Sequence, residues 1–293
     1  MKIKFIDKES ASSIIPEKDP YLSNFSNFDI QSRLGIIEEA KLYDLSQFLS
    51  HQTLDWKENE IKTIEKVFSE LEQAYSSYKK NFPEAIELIK TTGREEADSA
   101  YTRKNRIYIP ISMLEWSYNE LKELIAHELF HVFSNINPKI RNDWYAKLGF
   151  IACPELQIPE AYQELYITNP DTIGKNCYLP FIEKGNSMKG VSFLYSESPY
   201  RGGYFFQYMR FAFLIAEVTP TSCKALYDGN QIRFTKVPQS LYNLCAEIDP
   251  YNNQHRLHPE EILAYYWSLL PFSDSELSFN KRTFLHKISE KIS

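Results

Sequence analysis

Cysteine is sparse and unpatterned in this 293-residue chain. Cys153, Cys177, Cys223 and Cys245 include no Cys-x-x-Cys pair, so neither a zinc ribbon nor a dithiol redox motif is expected, and buried free thiols are the default. Basic clusters are also missing. With 33 basic against 39 acidic residues and a net charge of −6, no stripe of lysine and arginine exists to follow a phosphate backbone, so no nucleic-acid partner is expected. No apolar run reaches the roughly 18 to 20 residues of a membrane span, and residues 1–7 lack the continuous apolar stretch of a signal peptide. The expectation is a cytoplasmic protein, with export by a route that needs no cleaved signal left open. Neither an internal repeat nor a low-complexity linker marks a domain boundary.

What the chain does have is 43% hydrophobic residues, with aromatics making up 15% of the chain, and enough length to bury a large core. Histidine occurs six times, and two of the six fall in Ala126-His127-Glu128-Leu129-Phe130-His131. On a helix, His127 and His131 lie one turn apart on the same face, where both rings can reach one ion. Two imidazoles leave room for a third protein ligand and a water, the open coordination of a catalytic zinc, and Glu128 is placed to take that water's proton.

Context supports a helix here. Ser117-Tyr118-Asn119-Glu120 reads as a capping box, and Pro138 limits the segment to about 117–135. Leu121, Leu124, Ile125, Leu129, Val132 and Phe133 form an apolar arc that includes Glu128. A carboxylate buried there without a partner costs several kcal/mol. The competing reading is a core helix with two satisfied histidines.

A third ligand must come from elsewhere. Asn137 stands where a histidine six residues beyond His131 would be needed, and Ser134 replaces the accompanying glycine, so that solution is closed. The run His258-Pro259-Glu260-Glu261 opens an almost wholly apolar helix ending before Pro271. Glu261 shares a face with Ala264, Tyr265 and Ser268, whereas Glu260 points toward Leu263 and Trp267. This favours Glu261 as the ligand and leaves Glu260 as favourable negative charge in a first helical turn.

With its helix-borne His-Glu-x-x-His and a downstream glutamate, the chain resembles the gluzincin metallopeptidases. The stretch Tyr101-Thr102-Arg103, the motif helix and the run 258–261 together also resemble a group of zincin-like proteins. The resemblance implies His127, His131 and Glu261 as zinc ligands, Glu128 as general base, and a peptide or protein as substrate. It implies an α+β, zincin-like fold: a small antiparallel or mixed sheet, a buried metal-binding helix and a mostly helical C-terminal part. Many gluzincins carry an aspartate four residues after the glutamate to orient a ligand histidine; here that residue is Tyr265. The alternative function is a zincin-fold binding or regulatory protein that keeps zinc without useful turnover.

The whole chain, 1–293, is read as one catalytic domain. Residues 1–52 form an irregular wrap with a helical patch at 36–48; residues 53–136 form an upper lobe with the metal helix, and 137–293 a lower lobe with the third ligand. A capping box at 55–58 opens a helix to about 80, followed by strands at 85–92 and 99–109. The second is an edge strand open to an extended peptide or an ordinary buried hairpin. Helix 139–150, strands at 177–181, 191–195 and 204–218, and helices at 239–247, 259–270 and 273–288 complete the pattern. Tyr101, Tyr204, His258 and Tyr265 are chemically able to stabilise an oxyanion, and Arg103 to grip a carboxylate or form a salt bridge.

Overall fold

Two larger sheets, a two-stranded ribbon and a set of helices around them make a mixed α+β architecture in the computed structural model, which describes residues 1–236, 238, 241, 243 and 258–292. The first 52 residues are not irregular. They give strand β1 (Ile3–Phe5) and helices α1 (Lys8–Ile14), α2 (Pro20–Ser23), α3 (Asn27–Leu34) and α4 (Leu42–Ser50). The side chains of Asp7, Asp19 and Ser26 accept backbone N–H groups at the starts of the first three helices. Elements of one or two turns are held by such caps and by packing, and are too short to show a period.

The upper sheet follows. It contains β2 (Thr53–Leu54), then, after helix α5 (Glu58–Ala74), β3 (Ile86–Thr91), β4 (Tyr101–Arg103) and β5 (Arg106–Pro110). Its order is β1-β3-β5-β4, with β2 antiparallel on β3, parallel pairing among β1, β3 and β5, and β4 antiparallel at the edge. The cap of α5 lies two residues later than the sequence suggests: the Lys57 N–H donates to Glu60 at 2.8 Å, while Asp55 accepts from the Lys8 N–H. Side chains alternate across the sheet. Ile86, Leu88, Ile107 and Ile109 join the core under α5, while Ile89, Tyr101 and Tyr108 pack against Ala11, Ile15, Leu45 and Leu49 of the N-terminal helices. Both faces are therefore covered.

The motif helix α6 (Tyr118–Ile136) starts at the expected box, with the Ser117 N–H donating to Glu120 at 2.9 Å and the Glu120 N–H returning to Ser117 Oγ. It is followed by α7 (Pro138–Lys147). The C-terminal part departs from the expected helical character. Strands β6 (Ile151–Ala152), β7 (Leu156–Gln157), β8 (Cys177–Glu183), β9 (Asn186–Ser196), β10 (Met209–Val218) and β11 (Cys223–Ala225) belong to a seven-stranded sheet. Strands β12 (Tyr227–Asp228) and β13 (Gln231–Ile232) pair as a ribbon, and β14 (Phe234–Thr235) joins β10. Val191 and Phe193 of β9 and Leu214 and Ala216 of β10 put alternate residues of each strand into one apolar cluster, the pattern that makes this stretch strand rather than helix. The segment 204–208 is a short turn of helix, so that β10 starts at Met209.

Helices α8 (Pro259–Leu269) and α9 (Phe279–Ile292) complete the described elements; the expected helix at 239–247 falls on residues mostly outside them. Trp267 of α8 lies 4.9 Å from the ring of Phe133 and 5.6 Å from that of Phe130. This aromatic seam presses α8 along α6 and carries residues 260–261 to the histidine motif. Among the described residues, no helix is long and apolar enough to cross a membrane.

Candidate metal centre

The helical register of α6 sets His127 Nε2 and His131 Nε2 3.1 Å apart. From α8, Glu261 Oε2 lies 3.5 Å from His127 Nε2 and 4.0 Å from His131 Nε2. The in-plane point equidistant from these three atoms is about 2.1 Å from each, the length of a zinc–nitrogen or zinc–oxygen bond. The donor set, two imidazoles and a carboxylate, also suits zinc. The three residues thus form a group able to hold a metal ion.

Charge points the same way. Burial works against a charged His131, yet the carboxylates of Asp171, Glu260 and Glu261 around it lift its pKa from 6.5 to about 10. The position therefore favours a cation. Against the cost of partial burial, Glu261 is held ionised below the usual carboxylate range by its bond to His127 and by the charge of His131.

Glu260 is more than a charge in a first turn. It is fully buried, and four donors converge on it: His131 Nδ1 at 2.8 Å, Ser134 Oγ at 2.8 Å, Lys175 Nζ at 2.6 Å, and the Tyr145 hydroxyl. Against the cost of burial, Lys175 and His131 keep it ionised. A carboxylate on Nδ1 fixes the ring and turns Nε2 toward His127 and Glu261. The orienting carboxylate sought four residues after Glu261 thus stands one residue before it.

Glu128 is 3% exposed, as the apolar arc implies. Its partner is the hydroxyl of Thr102, which donates to Oε2 at 2.8 Å from strand β4. The Thr102 N–H donates outward to Asp171 Oδ1 at 2.9 Å. Asp171 groups with Glu128 and His131 in a second set of converging donors that shares His131 with the first. The strand is both edge and buried: Tyr101, Thr102 and Arg103 are each under 7% exposed, and the segment carrying Asp171 covers the edge at Thr102.

The other candidates separate. His258 caps α8, its Nδ1 accepting the Glu260 N–H at 3.2 Å while Nε2 meets the Lys175 carbonyl at 3.1 Å. Burial lowers its pKa to about 4, so it is a neutral cap and not a donor to substrate. Tyr204 is 63% exposed and absent from the cavities beside the motif. Arg103 spends its donors on Asp19 and the carbonyls of Ile15 and Glu17, tying the N-terminal helices to the β4–β5 hairpin. Tyr265 remains beside the motif, while Tyr101 packs toward the N-terminal helices.

Ser99, Ala100, His127 and Glu128 separate two cavities. One, of about 240 Å³, is walled by the apolar side chains of β9, β10 and the 205–206 turn and also reaches Glu261. The other, of about 480 Å³, is lined by Tyr265, Trp116, Glu120, Glu123 and Lys281. Ser134, Tyr145, Lys175 and Asp171 were not singled out as site residues from sequence. Lys175 and Asp171 lie in a segment without periodicity, where no local signal marks them. No family model matches this chain, and neither do any curated protein or solved structure.

Proposed function

We propose that this protein is a zinc-dependent hydrolase with a zincin-like arrangement, most simply a metallopeptidase. The observation that carries the reading is the convergence of His127, His131 and Glu261 within 4.0 Å of one another, with the buried Glu128 alongside. Zinc held by those three residues supplies Lewis acidity and lowers the pKa of water. Glu128 accepts the proton of the attacking water and delivers it to the leaving amine. Thr102 holds Glu128 from behind, and Glu260 holds His131. Tyr265, which lines the cavity beside His127 and Glu128, is the candidate donor to the developing oxyanion, whereas Tyr101 packs on the opposite face of the sheet.

A second reading, a zinc-holding binding or regulatory protein, is favoured by the covered edge at Thr102. Elemental analysis of the purified protein together with peptide turnover by native and Glu128→Gln forms decides. Zinc at about one per chain with Glu128-dependent cleavage supports the hydrolase. Zinc without cleavage supports the binding protein, and failure to take up zinc removes both.

A further inference from the structure

Two thiols meet where the second sheet curls back on itself. Its strand order runs β6-β8-β9-β10-β11-β7, so β6 and β7 stand at opposite ends of the path, yet only residues 153–155 separate them along the chain. The four steps from Ala152 to Leu156 reach at most about 14 Å, so the two ends of the sheet are held near each other. Cys153 is the first residue of that connection. Cys223 opens β11 in register with Leu156, the first residue of β7, and both cysteines belong to the apolar cluster of this sheet.

The pair is in contact and unequal. The Cys153 thiol donates to the Cys223 sulfur and, against the cost of burial, holds the Cys223 pKa below the ordinary thiol value, with the Lys189 ammonium acting the same way. Lys189 Nζ is itself anchored on the Val218 carbonyl at 2.8 Å. Cys223 is fully buried, whereas Cys153 is half-buried and lines a cavity of about 600 Å³, open to solvent, together with Tyr178, Lys189 and Val218. A reagent from solution therefore reaches one sulfur and not the other. Cys177 has no such access, being buried 3.7 Å from His258 Nε2.

We infer that Cys153 and Cys223 are a modification site: they form a disulfide across the meeting ends of this sheet, made by exchange with a small-molecule disulfide that enters at Cys153. The Cys153 thiolate attacks one sulfur of the reagent, forming a mixed disulfide and expelling the first thiolate, which takes a proton from Cys223. The Cys223 thiolate then attacks Cys153 Sγ and expels the second thiolate, which takes up the proton that Cys153 first lost. In sum, the two protein thiols are oxidised to one disulfide and the reagent is reduced to two thiols. The bond closes a loop of about 70 residues, which restrains the unfolded chain. It is independent of the hydrolase reading, and in a reducing compartment both thiols stay free.

Oxidised glutathione is the probe. Incubated with it, the reduced full-length protein should lose two thiols, give a Cys153–Cys223 cross-linked peptide on mass-spectrometric mapping, and unfold at a higher urea concentration than before. Cys223→Ser should stop halfway, with one glutathione on Cys153. Cys153→Ser should leave Cys223 a free thiol, modified at least about tenfold more slowly than Cys153 in the other variant, because burial shields it. Should a variant fail to fold, quenching the native reaction early makes the same assignment, with glutathione on Cys153 and none on Cys223. The inference is overturned if the native protein keeps both thiols, joins either of them to Cys177 or Cys245 instead, takes glutathione first on Cys223, or gains the cross-link without a rise in the urea midpoint.

Discussion

The carboxylate of Glu260 lies 2.8 Å from His131 Nδ1, while the neighbouring Glu261 reaches across to His127 at 3.5 Å. Two adjacent glutamates on one helical turn thus engage two histidines on another, with different chemistry: one fixes a ring, and the other offers a free oxygen beside both Nε2 atoms.

These roles separate by mutation. Glu260→Gln should leave the Lys175 ammonium and His131 short of a buried partner, lowering stability by about 3–5 kcal/mol and zinc affinity by about 10- to 100-fold. Glu261→Ala should lower zinc affinity at least as much with far less effect on the melting temperature. Thermal unfolding of the metal-free proteins and competitive zinc titration of each give the two numbers.

His127→Ala and His131→Ala should each abolish stoichiometric zinc, measured by elemental analysis after dialysis against trace metal. Retention of about one zinc per chain by either variant would place the ion elsewhere.

Glu128→Gln should keep zinc and lose about 10² to 10⁴ in turnover, the usual worth of a general base. Survival of activity within about tenfold would assign the proton transfer to another group.

Thr102→Val should keep zinc and fold, because the β4–β5 pairing is backbone, yet lower kcat for any cleaved peptide by about tenfold or more. A hydrogen bond to a charged group is worth about 1.5–3 kcal/mol, and here it positions Glu128. An unchanged kcat would show that Glu128 needs no such hold.

Away from the site, Glu95 is 1% exposed, and its carboxylate oxygens lack a hydrogen-bond partner among the described residues. Burial raises its pKa from 4.5 to about 7. The folded chain therefore retains a proton that the unfolded chain releases, so this contribution to stability is fully present below pH 4.5 and is lost as pH rises to about 7. Glu95→Gln should flatten that limb and stabilise the protein at pH 8 by about 3 kcal/mol, measured by denaturant unfolding at pH 4 and pH 8.

The parts legible in the sequence are those written in local patterns. The box at Ser117, the four-residue histidine spacing and the apolar arc of α6 are contained within 19 residues, and the structure places them as that pattern implies. The position of Glu261 beside the two histidines was readable because small residues mark its face of α8. The role of Glu260 was not. Its partners His131, Ser134, Tyr145 and Lys175 come from three separate stretches brought together only by folding. Likewise the N-terminal helices were hidden by their shortness, and the second sheet was underweighted because the polar start of β9, Asn186 to Lys189, masks the hairpin it forms with β8.

The bond from the Thr102 N–H to Asp171 also bears on how the protein behaves in a crowd. An exposed strand edge is a template on which another chain can add, and from there aggregation can propagate. Here a side chain takes a backbone donor on β4, so that this N–H is no longer open to a further strand. Asp171→Ala should therefore raise light scattering on prolonged incubation at high protein concentration, a liability the native chain suppresses with one carboxylate.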